Sequence, residues 1–228
     1  VIHAPNFWIG SYGSFQFMPN TSVDTENGTS GITSAQISSK NREAGFSHIN
    51  EKANAHLYSV TLDDGSAASG VKIEVTATSH GSYVRFTFPE GSDNVNVIFD
   101  SLWGSGADTL KFAEDGKSFT AKTNHGSPAM YVYGEFDTAW TSASTVNKKQ
   151  GIVSFAEGTT VVTMKLATSF ISIDQAKHNL ELEIGEGSTF DTTLAENQKV
   201  WDDLCGIFEI EGASYHELVS SYSYLYRM

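Results

Sequence analysis

One cysteine, Cys205, stands among 228 residues, so no internal disulfide can form and no cysteine-based metal cluster exists. That count leaves the compartment open. Positive charge is also scarce: 14 Lys and Arg face 27 Asp and Glu, and the net charge of -13 repels phosphate backbones and anionic membrane surfaces. No nucleic acid and no membrane are expected as partners. No apolar run approaches the ~20 residues that a membrane-spanning helix needs. The sequence opens at Val1 without a basic-then-apolar leader pattern, so its start reads as processed or trimmed. It also lacks a nucleophile elbow, a phosphate loop and a zinc-binding His pair. Seven histidines, His3, His48, His56, His80, His125, His178 and His216, are scattered, and no two sit at the i, i+4 spacing that aligns imidazoles on one helix face. They read as structural or surface groups, with His3 and His48 the exceptions to watch.

The length allows one large all-β domain or two modest ones and a sizeable core, and one domain with an appendage is the expectation. Residues 1–22 alternate aromatics and glycines, Phe7, Trp8, Gly10, Tyr12, Gly13, Phe15 and Phe17, and end at Pro19, which suggests a turn-rich approach to a short strand. Residues 20–41 are mostly Ser, Thr, Asn and Gly, with only Val23, Ile32 and Ile37 as apolar members, and predict an exposed loop. From 56 to 170 the period is two. Val71, Ile73 and Val75 point one way and Lys72, Glu74 and Thr76 the other, as half-buried strands require. The same alternation recurs in 83–88, 95–99, 130–136 and 160–170. Asp63-Asp64-Gly65, Glu90-Gly91, Asp115-Gly116 and Glu157-Gly158 supply the reversals. Many strands, hairpin punctuation and no intervening helix predict a mostly β fold, an antiparallel β-sandwich over 1–170.

At Ser172 the period changes. Ser172 and Gln175 have capping-box spacing, and Ile173, Ala176 and Leu180 follow at helical intervals. A second helical stripe holds Phe190, Leu194, Trp201, Leu204, Cys205 and Phe208, and a third holds Tyr215, Leu218, Val219, Tyr222, Leu225 and Tyr226. Residues 171–228 thus read as a C-terminal helical linker, with the last pattern running to Met228 without a stop signal. An amphipathic helix of that kind needs a partner for its apolar face.

Two tryptophans border glycine-rich turns. Trp8 lies among Asn6, Gly10 and Tyr12, where it is either a platform for the apolar face of a ligand or a plug at one end of the sandwich. Trp103 follows the run Val95 to Leu102 and precedes Gly104-Ser105-Gly106. Trp140 reads as a packing residue and Trp201 belongs to a helical stripe. The carboxylate pairs Asp63-Asp64, Glu114-Asp115 and Asp202-Asp203 are sequence neighbours, so they cannot face one another across a scissile glycosidic bond at about 5 to 9 Å.

Three stretches together span nearly the whole chain in one order and resemble glycoside hydrolase family 92. They are HAPNFWIGSYGSFQFMP, His3 to Pro19; GFSHINEKANAHLYSVTLDDG with VKIEVTATSHGSYVRFTFP, Gly45 to Pro89; and SFISIDQAKHNLELEI with KVWDDLCGIFEIEG, Ser169 to Gly212. The resemblance is to the amino-terminal domain of that family, truncated at both ends. It implies a supersandwich, galactose-mutarotase-like in fold, followed by helices that enter a missing C-terminal catalytic domain, an (α/α)6 barrel. The implied activity is that of an inverting exo-α-mannosidase acting on α-mannoside glycans. The resemblance also implies Ca2+ for the full-length enzyme, bound outside this chain, and a secreted, periplasmic or cell-surface location in a bacterium. The acid and base are expected in the barrel, leaving this chain catalytically silent. Trp8, in the matching Trp-Ile-Gly stretch, and His3 before it are the substrate-binding positions the resemblance suggests, with Trp103 added by its place after a strand. A free-standing carbohydrate-binding or adhesion module and an acidic structural domain without ligand are the alternative readings.

Overall fold

The computed structural model describes residues 15–101, 109–123 and 129–227. Two antiparallel sheets face one another, as the period-two pattern predicts. The larger runs β2 (Phe46–Ala53), β3 (Tyr58–Leu62), β4 (Lys72–Ala77), β5 (Gly81–Thr87), β12 (Val161–Ser169), β9 (Met130–Phe136), β8 (Ser118–Thr123) and β7 (Thr109–Phe112). The smaller runs β1 (Gln16–Asn20), β6 (Asn96–Asp100), β11 (Gln150–Ser154) and β10 (Ser142–Thr145). Among the described residues the sandwich starts ahead of the repeating pattern, at β1, where Pro19 is tolerated because β1 is there an edge strand.

The space between the sheets is packed with aromatic rings. Phe99 of β6 lies 4.8 Å from Phe119 and 5.8 Å from Phe15, centroid to centroid, and Phe136 and Trp140 continue the cluster. Trp140 is a packing residue, as its sequence surroundings suggest. Gly134 makes this density possible. A Cβ there would stand 2.3 Å from Cζ of Phe119, so only glycine lets that ring lie across β9. At the reversals, Gly65 (φ 77°) and Gly116 (φ 73°) occupy the left-handed region that the Asp-Gly pairs anticipate.

Two further layers depart from the simple sandwich. Residues 20–42 do not hang free: Val23 and Ile37 are buried against Ile98 and Ile152 on the outer face of the small sheet. Polar composition misleads here because the polar groups are paired in place. Asn20 Oδ1 accepts from the Val23 amide (2.8 Å), Asn96 Nδ2 donates to Val23 O (2.8 Å), and the Thr25 hydroxyl donates to Asn96 Oδ1 (2.9 Å). One helical turn, α1 (Ser39–Arg42), closes this segment, so helix is not confined to the part after Ser172.

The other layer is helical. α2 (Ile173–Glu183) packs on β12 and β9, and α3 (Phe190–Cys205) reaches β4 and β5. Both cover the outer face of the large sheet, where Tyr83, Tyr133, Ala176, Leu180, Ile184 and Phe190 form a separate core. Glu74 and Thr76 accordingly point outward from the main core yet are buried. Ser172 caps α2 by accepting the Gln175 amide (3.0 Å), but the Gln175 side chain bonds Asn179 instead of returning to the cap. The reciprocal capping box belongs to Thr189 and Thr192 at α3. α4 (Tyr215–Arg227) follows, with the Trp201 and Tyr226 rings tilted against one another 5.0 Å apart where α3 meets α4.

Candidate functional site

The open end of the sandwich lies at the edge strand β2. Its register with β3 shifts between Phe46 and Glu51, an irregularity that frees the intervening side chains from regular pairing. Glu51 gathers them: it accepts from His48 Nδ1 (2.5 Å) and from the Tyr58 hydroxyl (2.7 Å) of β3. The Phe46 ring meets the His48 ring edge-on at 5.6 Å. Phe46 and Tyr58 remain 47% and 36% exposed, large apolar faces beside fixed polar groups. The hydrogen bond from His48 and then that from Tyr58 hold the Glu51 carboxyl below its ordinary range. Burial, with the adjoining carboxylate, pushes Tyr58 up to about 12, so its hydroxyl stays a donor at neutral pH.

Behind these groups a cleft of about 820 Å3 runs between the sheets, walled by Val60, Leu62, Ile73, Val75 and Phe86. The β4–β5 turn forms part of its rim. Glu183, the last residue of α2, accepts from the Thr78 hydroxyl (2.6 Å), the His80 amide (2.8 Å) and the His80 ring. Asn197 of α3 donates to Ala77 O (2.7 Å) and to the Thr76 hydroxyl (3.0 Å). The rim of the cleft and both helices are thus tied to one turn.

Glu183 gives the tie a pH dependence. Burial raises its pKa, but the Thr78 and His80 hydrogen bonds outweigh burial and leave it below the ordinary value. A carboxyl depressed in the folded state contributes stability above its unfolded pKa and loses it as pH falls through the folded one. Glu183→Gln should therefore flatten the loss of thermal stability below about pH 4.5. Melting midpoints measured from pH 3 to 7 check this; parallel acid limbs for the two proteins would remove Glu183 as a contributor.

Chemically the region can present rings and hydrogen bonds to a polyhydroxylated ligand. Inverting hydrolysis needs one carboxyl kept protonated opposite a second that is ionised. Among the described residues every carboxyl that the fold clearly shifts, Glu51, Glu74, Asp115, Glu183 and Glu217, moves towards the ionised form. Among the described residues no three His, Cys, Asp or Glu side chains converge as metal ligands, so the groups present do not fit a calcium site.

The profile of the glycosyl hydrolase family 92 N-terminal domain matches residues 1–185. The chain belongs to glycoside hydrolase family 92. Its fold is shared with a family 92 inverting mannosidase from Bacteroides thetaiotaomicron, at 24% identity and TM-score 0.78, over 99% of this chain and 31% of that one. A family 92 α-mannosidase from the same organism gives 23% identity and TM-score 0.72, over 93% and 31%. The chain thus spans about a third of the length of these mannosidases. No curated protein matches it significantly in sequence.

Within this family 92 domain the sequence reading selects positions the structure describes only in part. Trp8, His3 and Trp103 lie outside the described residues. His48 is described, and it stands in the Phe-Ser-His-x-Asn-Glu stretch that carries the resemblance, bonded to the Glu of the same stretch. Tyr58 and Glu183 were not singled out. Tyr58 had a signal, since it opens the strand after that stretch; Glu183 had none, because its partners at 78 and 80 are about a hundred residues away.

Proposed function

We propose that these residues form the substrate-contacting amino-terminal domain of a secreted bacterial exo-α-mannosidase that works with inversion, and that alone they hydrolyse nothing. The domain division proposed with it is a sandwich over 1–170 and a helical linker over 171–228 that leads to the catalytic barrel. One observation carries the reading: in this family 92 sandwich every described carboxyl that is clearly shifted favours the ionised form, so none of those shifted is held as the acid that inversion needs. The acid, the base and the calcium ligands would then come from outside this chain. The exposed apolar side chains of the helical part, Val200, Leu204, Ile207, Tyr215 and Tyr224 among them, suit a surface covered by that barrel. Trp8, His3 and Trp103 are proposed as the sandwich's contacts with an α-mannoside glycan, with Trp8 stacking on the sugar ring.

The purified 228-residue chain is expected to release no mannose from an α-mannobiose, with or without calcium, while the longer enzyme does so in calcium. In that enzyme Trp8→Ala should lower kcat/KM about tenfold, the loss of a stacking contact of about 1.4 kcal/mol. Calcium-dependent mannose release by the 228-residue chain would overturn the division of labour, and unchanged kinetics in a folded Trp8→Ala enzyme would return Trp8 to packing.

A further inference from the structure

The segment seated on the outer face of the small sheet holds Asn27, the one asparagine of the sequence that is followed by glycine. A following glycine leaves the backbone nitrogen open to approach, because no Cβ shields it. An asparagine in that setting can react with its own chain. The Gly28 nitrogen, having lost its proton, bonds to Cγ of Asn27, and the Cγ–Nδ2 bond breaks with release of ammonia. Water then opens the resulting succinimide at one of its two carbonyls. Opening at Cγ gives aspartate. Opening at the backbone carbonyl gives isoaspartate, whose main chain runs through Cβ and Cγ and is longer by one carbon.

The structure holds both the exposure this reaction needs and a device that restrains it. Asn27 is exposed and stands at the reversal of a turn from Thr25 to Gly28. The Gly28 amide donates to Thr25 O (2.8 Å), so its proton is held and its nitrogen cannot turn on the Asn27 side chain until the turn opens. The turn is fixed at both ends. Thr25 is buried, its hydroxyl donating to Asn96 Oδ1 (2.9 Å) and lying 2.9 Å from Ser154 Oγ, and its amide donates to Asn94 Oδ1 (3.1 Å). Thr29 is buried as well, and its hydroxyl donates to Ser144 Oγ (2.9 Å). Thr25 is thus seated on β6 and β11 and Thr29 on β10, and the backbone between them has a fixed span.

We infer that Asn27 is a site of spontaneous deamidation, restrained by the seating of Thr25 and Thr29, and that its conversion to isoaspartate releases this segment from the small sheet. The product has one main-chain atom too many for the span between the two threonines. It also adds a carboxylate beside Glu26 and close to Asp24, in a chain whose net charge is already -13. Refolding restores neither the amide nor the original chain length, so the release is one-way. The site is independent of the mannoside contacts proposed above.

The folded 228-residue chain is incubated at mildly alkaline pH, and its peptides are mapped by mass and labelled with an isoaspartyl methyltransferase. Deamidation should appear at Asn27 before any other asparagine, with isoaspartate among the products. Thr25→Ala should speed it about fivefold, the change in turn opening that corresponds to ~1 kcal/mol of lost hydrogen bonding. Should that variant fail to fold, Thr29→Ala, which lacks the bond to Ser144, serves the same purpose. Leu180→Ala truncates a buried side chain in the helical layer on the large sheet. It should lower the melting midpoint without changing the Asn27 rate, since only local opening is needed. In the isoaspartate form the amides of Val23 and Gly28 should exchange about tenfold faster than in the parent, whereas Asn27→Asp, with the charge but not the extra atom, should keep most of their protection. First deamidation at another asparagine, no reaction at Asn27 in the folded chain, or a rate that follows global stability in Leu180→Ala overturns the site. An isoaspartate form with the parent's protection overturns the release.

Discussion

Replacing Phe99 with alanine is expected to destabilise the domain by about 3 to 5 kcal/mol, the range for truncating a fully enclosed aromatic side chain. Phe99 sits on β6, an interior strand of the small sheet, and is fully buried. Its ring touches Phe15, Phe112, Phe119 and Phe136, so four neighbours lose a contact surface at once. Collapse into the void is resisted on both sides. β6 is hydrogen-bonded to β1 and β11, and Phe119 is wedged against Gly134. For a domain of this size the loss corresponds to a fall in melting midpoint of roughly 6 to 20 °C. Urea titration should show a lower midpoint with an unchanged slope, since the folded and unfolded states keep their surface areas. Phe99→Leu should cost clearly less, because most of the volume is kept. A Phe99→Ala protein within 1 kcal/mol of the parent would mean that the small sheet relaxes into the space, contrary to the density described.

Many of the strands were legible because they are short alternating runs, several joined at an Asp-Gly or Glu-Gly pair, and both the alternation and the turn chemistry are local. The same locality explains what was not legible. That Glu74 and Thr76 would be buried cannot be read from their own strand, because the helices that cover them arrive about a hundred residues later. The segment 20–42 looked like loop because its composition is polar, yet two apolar residues, Val23 and Ile37, suffice to seat it once Asn20, Thr25 and Asn96 pair within the layer. Of the site, only His48 stood out in the sequence; its partner Glu51 did not, although both lie within one strand. The Glu183 clamp joins a helix end to a distant turn and leaves no trace in spacing.

That seated segment carries the second large effect. Arg42 and Asp100 form an ion pair at 2.6 Å with both side chains more than nine-tenths buried. Asp100 also accepts from Gln150 Nε2 (2.9 Å), and Arg42 donates to Ile37 O (2.7 Å), so the pair links β6, β11 and the turn that holds Ile37. Asp100→Ala leaves a guanidinium in a dry site without its countercharge, which should cost about 3 to 5 kcal/mol. The cost is chiefly that of the orphaned charge rather than the net worth of the pair, because taking both groups out of water largely offsets their attraction. The double variant Arg42→Met with Asp100→Leu removes both charges and keeps apolar volume, so it should be more stable than Asp100→Ala alone. Urea midpoints of the three proteins give the comparison. Amide exchange adds a local reading: residues 36–42 should exchange faster in Asp100→Ala, while β12, far from the pair, loses protection only to the extent of the global change. A double variant no more stable than Asp100→Ala would assign the loss to packing and leave the buried charge without a role. Recovery in the double variant would instead identify Arg42 as the residue that makes this polar segment part of the folded domain.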